Sequence, residues 1–194
     1  MLVLASRSPQ RRTLLRQLGI PFRVAVSEHV EDLHDGDPVR TVEHNARGKA
    51  EDVLVRVRLR TGELVLGVDT VVVIDGLVLG KASGEEDAAH YLRLLGGRRH
   101  EVFSGLHLCS RERGVTTHAV TGVTFRGLGG GEIARYAACG EWRERAGAYA
   151  IQGAGSALVA AVDGDYFNVV GLPVPALLEA LAAFSVTPLS WLRP

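Results

Sequence analysis

The chain has 194 residues, 46% of them hydrophobic, and its 22 basic and 22 acidic side chains leave no net charge. That length suits one domain, or one domain with two lobes, around a well-filled core, and the balanced charge argues against a long electrostatic footprint on DNA or RNA. No apolar run reaches a membrane span, no secretory signal pattern opens the chain, and Cys109 and Cys139 lack metal-ligand spacing, which together predict a cytoplasmic protein with reduced thiols and no membrane partner.

In chain order, Leu2, Val3 and Leu4 read as a short buried strand, and Ser8 followed by Pro9 reads as a helix start. The loop of Ser6 and Ser8 then faces the positive end of a helix whose first turn carries Arg11 and Arg12. Cations placed there oppose the helix dipole, so the pattern suits an anion such as phosphate, with a solvated arginine cluster as the alternative. Glu28, Glu31 and Asp32 follow in the loop SEHVED.

Residues 41–58 are predicted helical, with an apolar stripe of Val42, Ala46, Ala50, Val53 and Val57. Lys49 falls beside that stripe, toward the core edge or a cleft. Of the 22 basic residues only Lys49 and Lys81 are lysine, which marks two places where a thin stem and a compact ammonium fit better than a guanidinium. Snorkelling over apolar surface is the alternative for Lys49.

Two β-rich runs flank Asp75-Gly76, a hairpin turn signal. Asp69 interrupts the first run, where a carboxylate is costly unless it meets solvent, a cation or a metal. Gly67, two residues before it, leaves room for close approach of another group, and the hairpin is expected to bring Asp69 and Lys81 side by side at its open end.

Ser83 and Glu86 predict a capping box for a helix reaching about Leu95. Strands are expected over residues 100–108 and 115–126, with a turn at Arg111 to Gly114 between them, then a helix from Glu132 to Cys139. Gly129 to Gly131 lacks the Lys-Ser/Thr of a phosphate-binding loop and reads as a flexible turn. Gln152 sits between an apolar run and a glycine-flanked turn, and a final Ala/Leu-rich helix covers about Pro173 to Phe184.

Five segments, LASRSPQRR, GVDTVVVIDGLVLGK, LLGGRRHEVFSG, AGAYAIQGAGSALV and NVVGLP, occur in that order from about Leu2 to about Leu181. They resemble the motifs of the Maf family of nucleoside triphosphate pyrophosphatases. The resemblance implies a single domain over residues 1–194 with a two-lobed α/β fold of the Maf-like, inosine-triphosphatase-like kind: an elongated mixed sheet flanked by helices, with a central cleft for the nucleotide. It also implies a homodimer and hydrolysis of a nucleoside triphosphate to the monophosphate and pyrophosphate with a divalent metal, Mg²⁺ or Mn²⁺.

On that resemblance Asp69 activates water and also touches the metal, which Glu31 helps to hold. Ser6, Ser8, Gln10, Arg11, Lys49, Thr70, Lys81 and Gln152 bind the substrate, Arg12 being an accessory cation. Thr70 after Asp69 looks like the branch acting on dTTP and UTP. Gln10 stands where that branch usually has arginine, and Glu144-Arg145 where it usually has Asp and Lys, so base preference and rate are expected to differ from those of relatives. The alternative reading is a non-catalytic nucleotide-binding regulator of cell division or septum formation.

Overall fold

Leu2, Val3 and Leu4 form β1 (Leu2–Leu4), buried throughout and paired in parallel on both sides, with β2 (Phe22–Val24) and β3 (Leu64–Ile74). The computed structural model describes residues 1–34 and 36–192. Its other elements are α1 (Pro9–Gln17), α2 (Pro38–Arg56), β4 (Leu77–Leu79), α3 (Glu85–Leu95), β5 (Arg99–Cys109), β6 (Gly114–Phe125), α4 (Gly130–Cys139), a 3₁₀ turn (Gly153–Leu158), β7 (Val159–Asp163), α5 (Tyr166–Val170) and α6 (Val174–Ala183). The strands make one mixed sheet in the order β2-β1-β3-β5-β6-β7, with β4 antiparallel to β3 and β7 antiparallel to β6. This is the α/β class with a mixed sheet that the sequence predicts. Among the described residues no helix is long and apolar enough to cross a membrane.

The chain divides into two compact units, and β3, β5 and β6 each run from one into the other. The first holds residues 1–69, 104–119 and the C-terminal segment from Gly171; the second holds 70–103 and 120–170. The division falls between Asp69 and Thr70.

In the first unit, Val3, Ala5, Ala50, Val53, Val65 and Cys109 pack into one apolar cluster between β1, β3, β5 and α2. Both cysteines are free, as expected, and burial pushes the Cys109 thiol up to about 11. Helix α2 lies unusually close to the sheet. A Cβ on Gly67 would stand 2.0 Å from the Ala46 carbonyl oxygen, and one on Gly105 would stand 2.2 Å from that of Val42. The group for which Gly67 leaves room is therefore the α2 backbone. α2 begins before the predicted residue 41, because Asp37 caps it by accepting from the Arg40 amide at 2.9 Å and Pro38 fits its first turn.

In the second unit the predicted hairpin turn forms, with φ of 51° at Asp75 and 78° at Gly76, the left-handed pair that a two-residue turn requires. Its β3–β4 ladder ends at Val72–Leu79, and Lys81 instead bridges antiparallel to Ala146. The side-by-side placement of Asp69 and Lys81 is thus not what the hairpin makes. Nor does Ser83 cap α3: the N-cap is Gly84, and Ser83 donates through its amide and hydroxyl to Asp87. Gly129 to Gly131 is no flexible turn; it opens α4, with the Gly129 amide donating to Glu132. His100, Phe125 and Tyr149 meet edge to face at centroid distances of 4.8–5.4 Å in this unit's core.

Candidate active site

About three turns of α2 carry a polar ridge at Thr41, Asn45, Lys49 and Asp52, beside the apolar stripe that packs on the sheet. Spacings of three and four keep these side chains on one helix face. Thr41 and Asn45 are fully buried and Lys49 nearly so. The loop from β2 to α2 is laid along this ridge. Its Glu28 amide and Ser27 hydroxyl donate to Asp52 at 2.8 Å, the Asp32 amide donates to Asn45 Oδ1 at 2.9 Å, and the His34 amide donates to Thr41 Oγ1 at 2.9 Å. The Arg56 guanidinium, bonded to Asp52, holds that carboxyl well below the usual carboxylate range.

The ridge and the loop converge on Asp69. Close approach at Gly67 puts α2 against β3 two residues before it, and Asp69 is 5% exposed. The Lys49 ammonium lies 2.5 Å from Asp69 Oδ1 and 2.6 Å from Glu31 Oε1, so two carboxylates from different elements share one cation. The other Asp69 oxygen, Oδ2, accepts from Asn45 Nδ2 at 3.1 Å. The Asp69 partner among the two lysines is therefore Lys49 and not Lys81. The Lys49 stem reaches a buried position, as the scarcity of lysine suggests, whereas Lys81 is exposed and does not follow that expectation. Glu31 keeps about half of its side-chain surface, 48%, open to solvent.

The N-terminal loop is built largely as predicted. Ser8 Oγ accepts from the Arg11 amide at 3.4 Å and donates to Gln10 Oε1 at 2.9 Å, with Pro9 in the first turn. Arg11 is buried: its Nε donates to the Gly171 carbonyl at 2.8 Å and its Nη1 to Ser6 Oγ at 3.0 Å. Ser6 Oγ also accepts from the Ser8 amide. Burial lowers the Arg11 pKa, while the negative charges of Asp69 and Glu31 act in the opposite direction. Arg12 contributes a buried Nε with no hydrogen-bond partner among the described residues.

Seven of the expected residues, Ser6, Ser8, Gln10, Arg11, Glu31, Lys49 and Asp69, thus lie in the first unit. Thr70, Lys81 and Gln152 belong to the second. Thr70 is half-buried directly after Asp69 in β3; Lys81, 53% exposed, is 3.4 Å from Glu144; and Gln152 is exposed ahead of the 3₁₀ turn, with no side-chain capping bond. Glu144 has a left-handed backbone, φ 60°, and Arg145 Nε donates to the Glu141 carbonyl at 2.9 Å.

Asn45 is the residue that sequence reasoning passed over. Its signal was present: a buried amide four residues before a buried lysine, on a helix face next to an apolar stripe. Gly171 lies in the NVVGLP segment, but nothing in the sequence pairs its carbonyl with Arg11, 160 residues away.

A divalent cation such as Mg²⁺ needs hard oxygen donors. Glu31 and Asp69 already direct one carboxylate oxygen each at a common positive charge, and both are hard oxygen donors. Among the described residues no group of three or more His, Cys, Asp or Glu side chains is arranged to hold a metal. One or two carboxylates, with water and phosphate oxygens completing the shell, is the arrangement that Mg²⁺ and Mn²⁺ accept and zinc does not favour.

A family model described as Maf-like protein matches residues 1–184. A dTTP/UTP pyrophosphatase of Moorella thermoacetica is 47% identical over 188 residues, covering 95% of each chain. One of Symbiobacterium thermophilum is 45% identical over 184 residues, covering 94% of this chain and 93% of its own, and one of Bacillus pumilus is 40% identical over 188 residues, covering 96% and 98%.

Proposed function

The chain belongs to the Maf family, and from that premise we propose that it is a nucleoside triphosphate pyrophosphatase that releases pyrophosphate from dTTP, UTP or a related pyrimidine triphosphate. Identity of 40–47% to enzymes named dTTP/UTP pyrophosphatase, over nearly the full length of each, supports the reaction class and this choice of base. The observation that carries the chemistry is the buried Asp69 carboxylate, held by Lys49 on one oxygen and Asn45 on the other.

Hydrolysis between the α- and β-phosphates needs a base that orients water toward the α-phosphorus and cations that accept the charge of the departing pyrophosphate. Asp69 takes the first role, because its carboxylate is fixed in direction and shielded from bulk water. Glu31 and Asp69 would hold the divalent cation, which when bound supplies charge neutralisation on phosphate oxygens. Lys49 has the reach to exchange a carboxylate for a phosphate oxygen. Arg11 braces the N-terminal loop through Ser6 and Gly171, while the amides at the start of α1 offer donors to phosphate. Thr70, Lys81 and Gln152 complete the substrate contacts in this reading, with Lys81 as the exposed cation for the outer phosphates. We further propose a homodimer, the state implied by the family motifs, in the cytoplasm, the compartment expected from the sequence composition.

The test is a panel of dTTP, UTP, CTP, pseudouridine triphosphate and 7-methyl-GTP, assayed with Mg²⁺ and with Mn²⁺. Pyrophosphate with the nucleoside monophosphate is expected. Orthophosphate release would place cleavage at the γ-phosphorus and sink the mechanism, and tight binding without turnover would favour the regulatory alternative.

A further inference from the structure

Asn45 ties the Asp69 carboxylate to the backbone next to Glu31 through three hydrogen bonds. Its Nδ2 donates both to Asp69 Oδ2, at 3.1 Å, and to the Asp32 carbonyl, at 2.9 Å; its Oδ1 accepts from the Asp32 amide, at 2.9 Å. It is 1% exposed. The Asn45 amide therefore imitates a peptide group pairing with residue 32, next in the chain to Glu31, while its remaining donor orients Asp69.

We propose that Asn45 is a positioning residue for the reaction: it sets the spacing of Glu31 and Asp69, and so the affinity and placement of the divalent cation between them. This inference rests on the pyrophosphatase reading of the same site. Two features of the bonding support it beyond a role in holding the fold together. First, the Asp32 clasp fixes the backbone on the C-terminal side of Glu31, whose side chain is half open to solvent. Second, Asn45 fixes the direction of the Asp69 carboxylate by holding Oδ2, while Oδ1 accepts from Lys49, the ammonium that Asp69 shares with Glu31. Partners that orient a ligating carboxylate commonly control metal affinity as strongly as some ligands do.

The experiment compares the wild-type protein with Asn45→Leu, which keeps the branched heavy-atom outline, and Asn45→Ala, all below their measured melting temperatures. Two readouts do not depend on turnover: amide hydrogen exchange at Asp32, and Mn²⁺ binding to the free protein by electron paramagnetic resonance. The variants are expected to exchange the Asp32 amide much faster and to bind Mn²⁺ about 10–100-fold more weakly. In turnover, kcat falls and the half-saturating Mn²⁺ concentration rises by a similar factor, while the KM for nucleotide stays within about threefold of the wild type. Faster exchange and a lower melting temperature with unchanged Mn²⁺ binding and unchanged kcat would reduce Asn45 to a structural residue and overturn the proposal. If the wild-type protein releases no pyrophosphate from any triphosphate, the pyrophosphatase reading fails on its own, and exchange with Mn²⁺ binding still decides the role of Asn45.

Discussion

Lys49 Nζ lies 2.5 Å from Asp69 Oδ1, with side-chain exposures of only 11% and 7%, so the two ions are a nearly dry pair drawn from α2 and β3. Breaking such a pair from one side is costly, because the remaining charge stays buried without its partner. Lys49→Met is expected to destabilise the protein by about 3–5 kcal/mol. Asp69→Asn leaves Lys49 its contact with Glu31 and should cost less stability, yet lower pyrophosphate release about 10²–10⁴-fold. Urea denaturation and a pyrophosphate assay on both variants separate the effects. Equal stability losses, or an active Asp69→Asn, would contradict this division of roles.

The close crossing of α2 over β3 gives a second prediction. In Gly67→Ala the new methyl would meet backbone, at 2.0 Å from the Ala46 oxygen and 2.9 Å from the Ala50 nitrogen, and neither can swing aside. A loss of about 3 kcal/mol or more is expected, together with lost activity, since the displaced helix carries Asn45 and Lys49. Gly80→Ala, where the added atom meets nothing within 4 Å, serves as the control and should stay within about 0.5 kcal/mol of the parent.

Stability should fall on mild acidification. His100 and His107 are held at about 4, in each case by burial first and then by a neighbouring arginine, Arg99 and Arg47 respectively. Unfolded, each binds a proton near pH 6.5. Between about pH 6.5 and 4 the unfolded chain therefore takes up protons that the folded one does not, and stability drops as pH falls across that window; above it these two groups contribute no slope. Thermal unfolding from pH 8 to 4.5 checks the profile. His107→Gln, which removes one of the two groups, should flatten the acid-side slope, and an unchanged slope would rule out His107 as a source.

Position 10 offers a test of base preference. The Gln10 carbonyl accepts from Ser8 Oγ, while the Ser8 cap itself rests on the Arg11 amide. Gln10→Arg removes the acceptor but keeps the cap, so folding stability should change by no more than about 0.5 kcal/mol. The ratio of kcat/KM between dTTP, UTP and CTP is expected to shift. A uniform change across the three nucleotides would assign position 10 to the phosphates or the fold.

Much of this arrangement was legible in the chain because it is local. The Ser8-Pro9 helix start, the Asp75-Gly76 turn and the two terminal helices depend on propensities and bonds that span a few residues, and they form where the pattern puts them. Capping of α3 departs from the sequence expectation for an equally local reason: Gly84 takes the N-cap position, and Asp87 accepts from both the Ser83 amide and the Ser83 hydroxyl. α2 starts ahead of residue 41 because Asp37-Pro38, a cap followed by a first-turn proline, precedes the apolar stripe from which the expected start is read.

The sequence by itself determined the motif order that implies the α/β class and the unusual cost of Asp69, a carboxylate set in an apolar run, while it left Lys49 between a cleft position and snorkelling over apolar surface. Only the tertiary structure decided who meets whom. Asp69 pairs with Lys49, 20 residues upstream, and not with Lys81 across the hairpin, because Gly67 lets α2 settle on β3 at backbone contact while the β3–β4 ladder ends before Lys81. Asn45 acquires its role in the same way: a helix face becomes a functional ridge once a loop and a strand from distant parts of the chain are packed against it, and a buried amide must then find partners wherever the fold provides them.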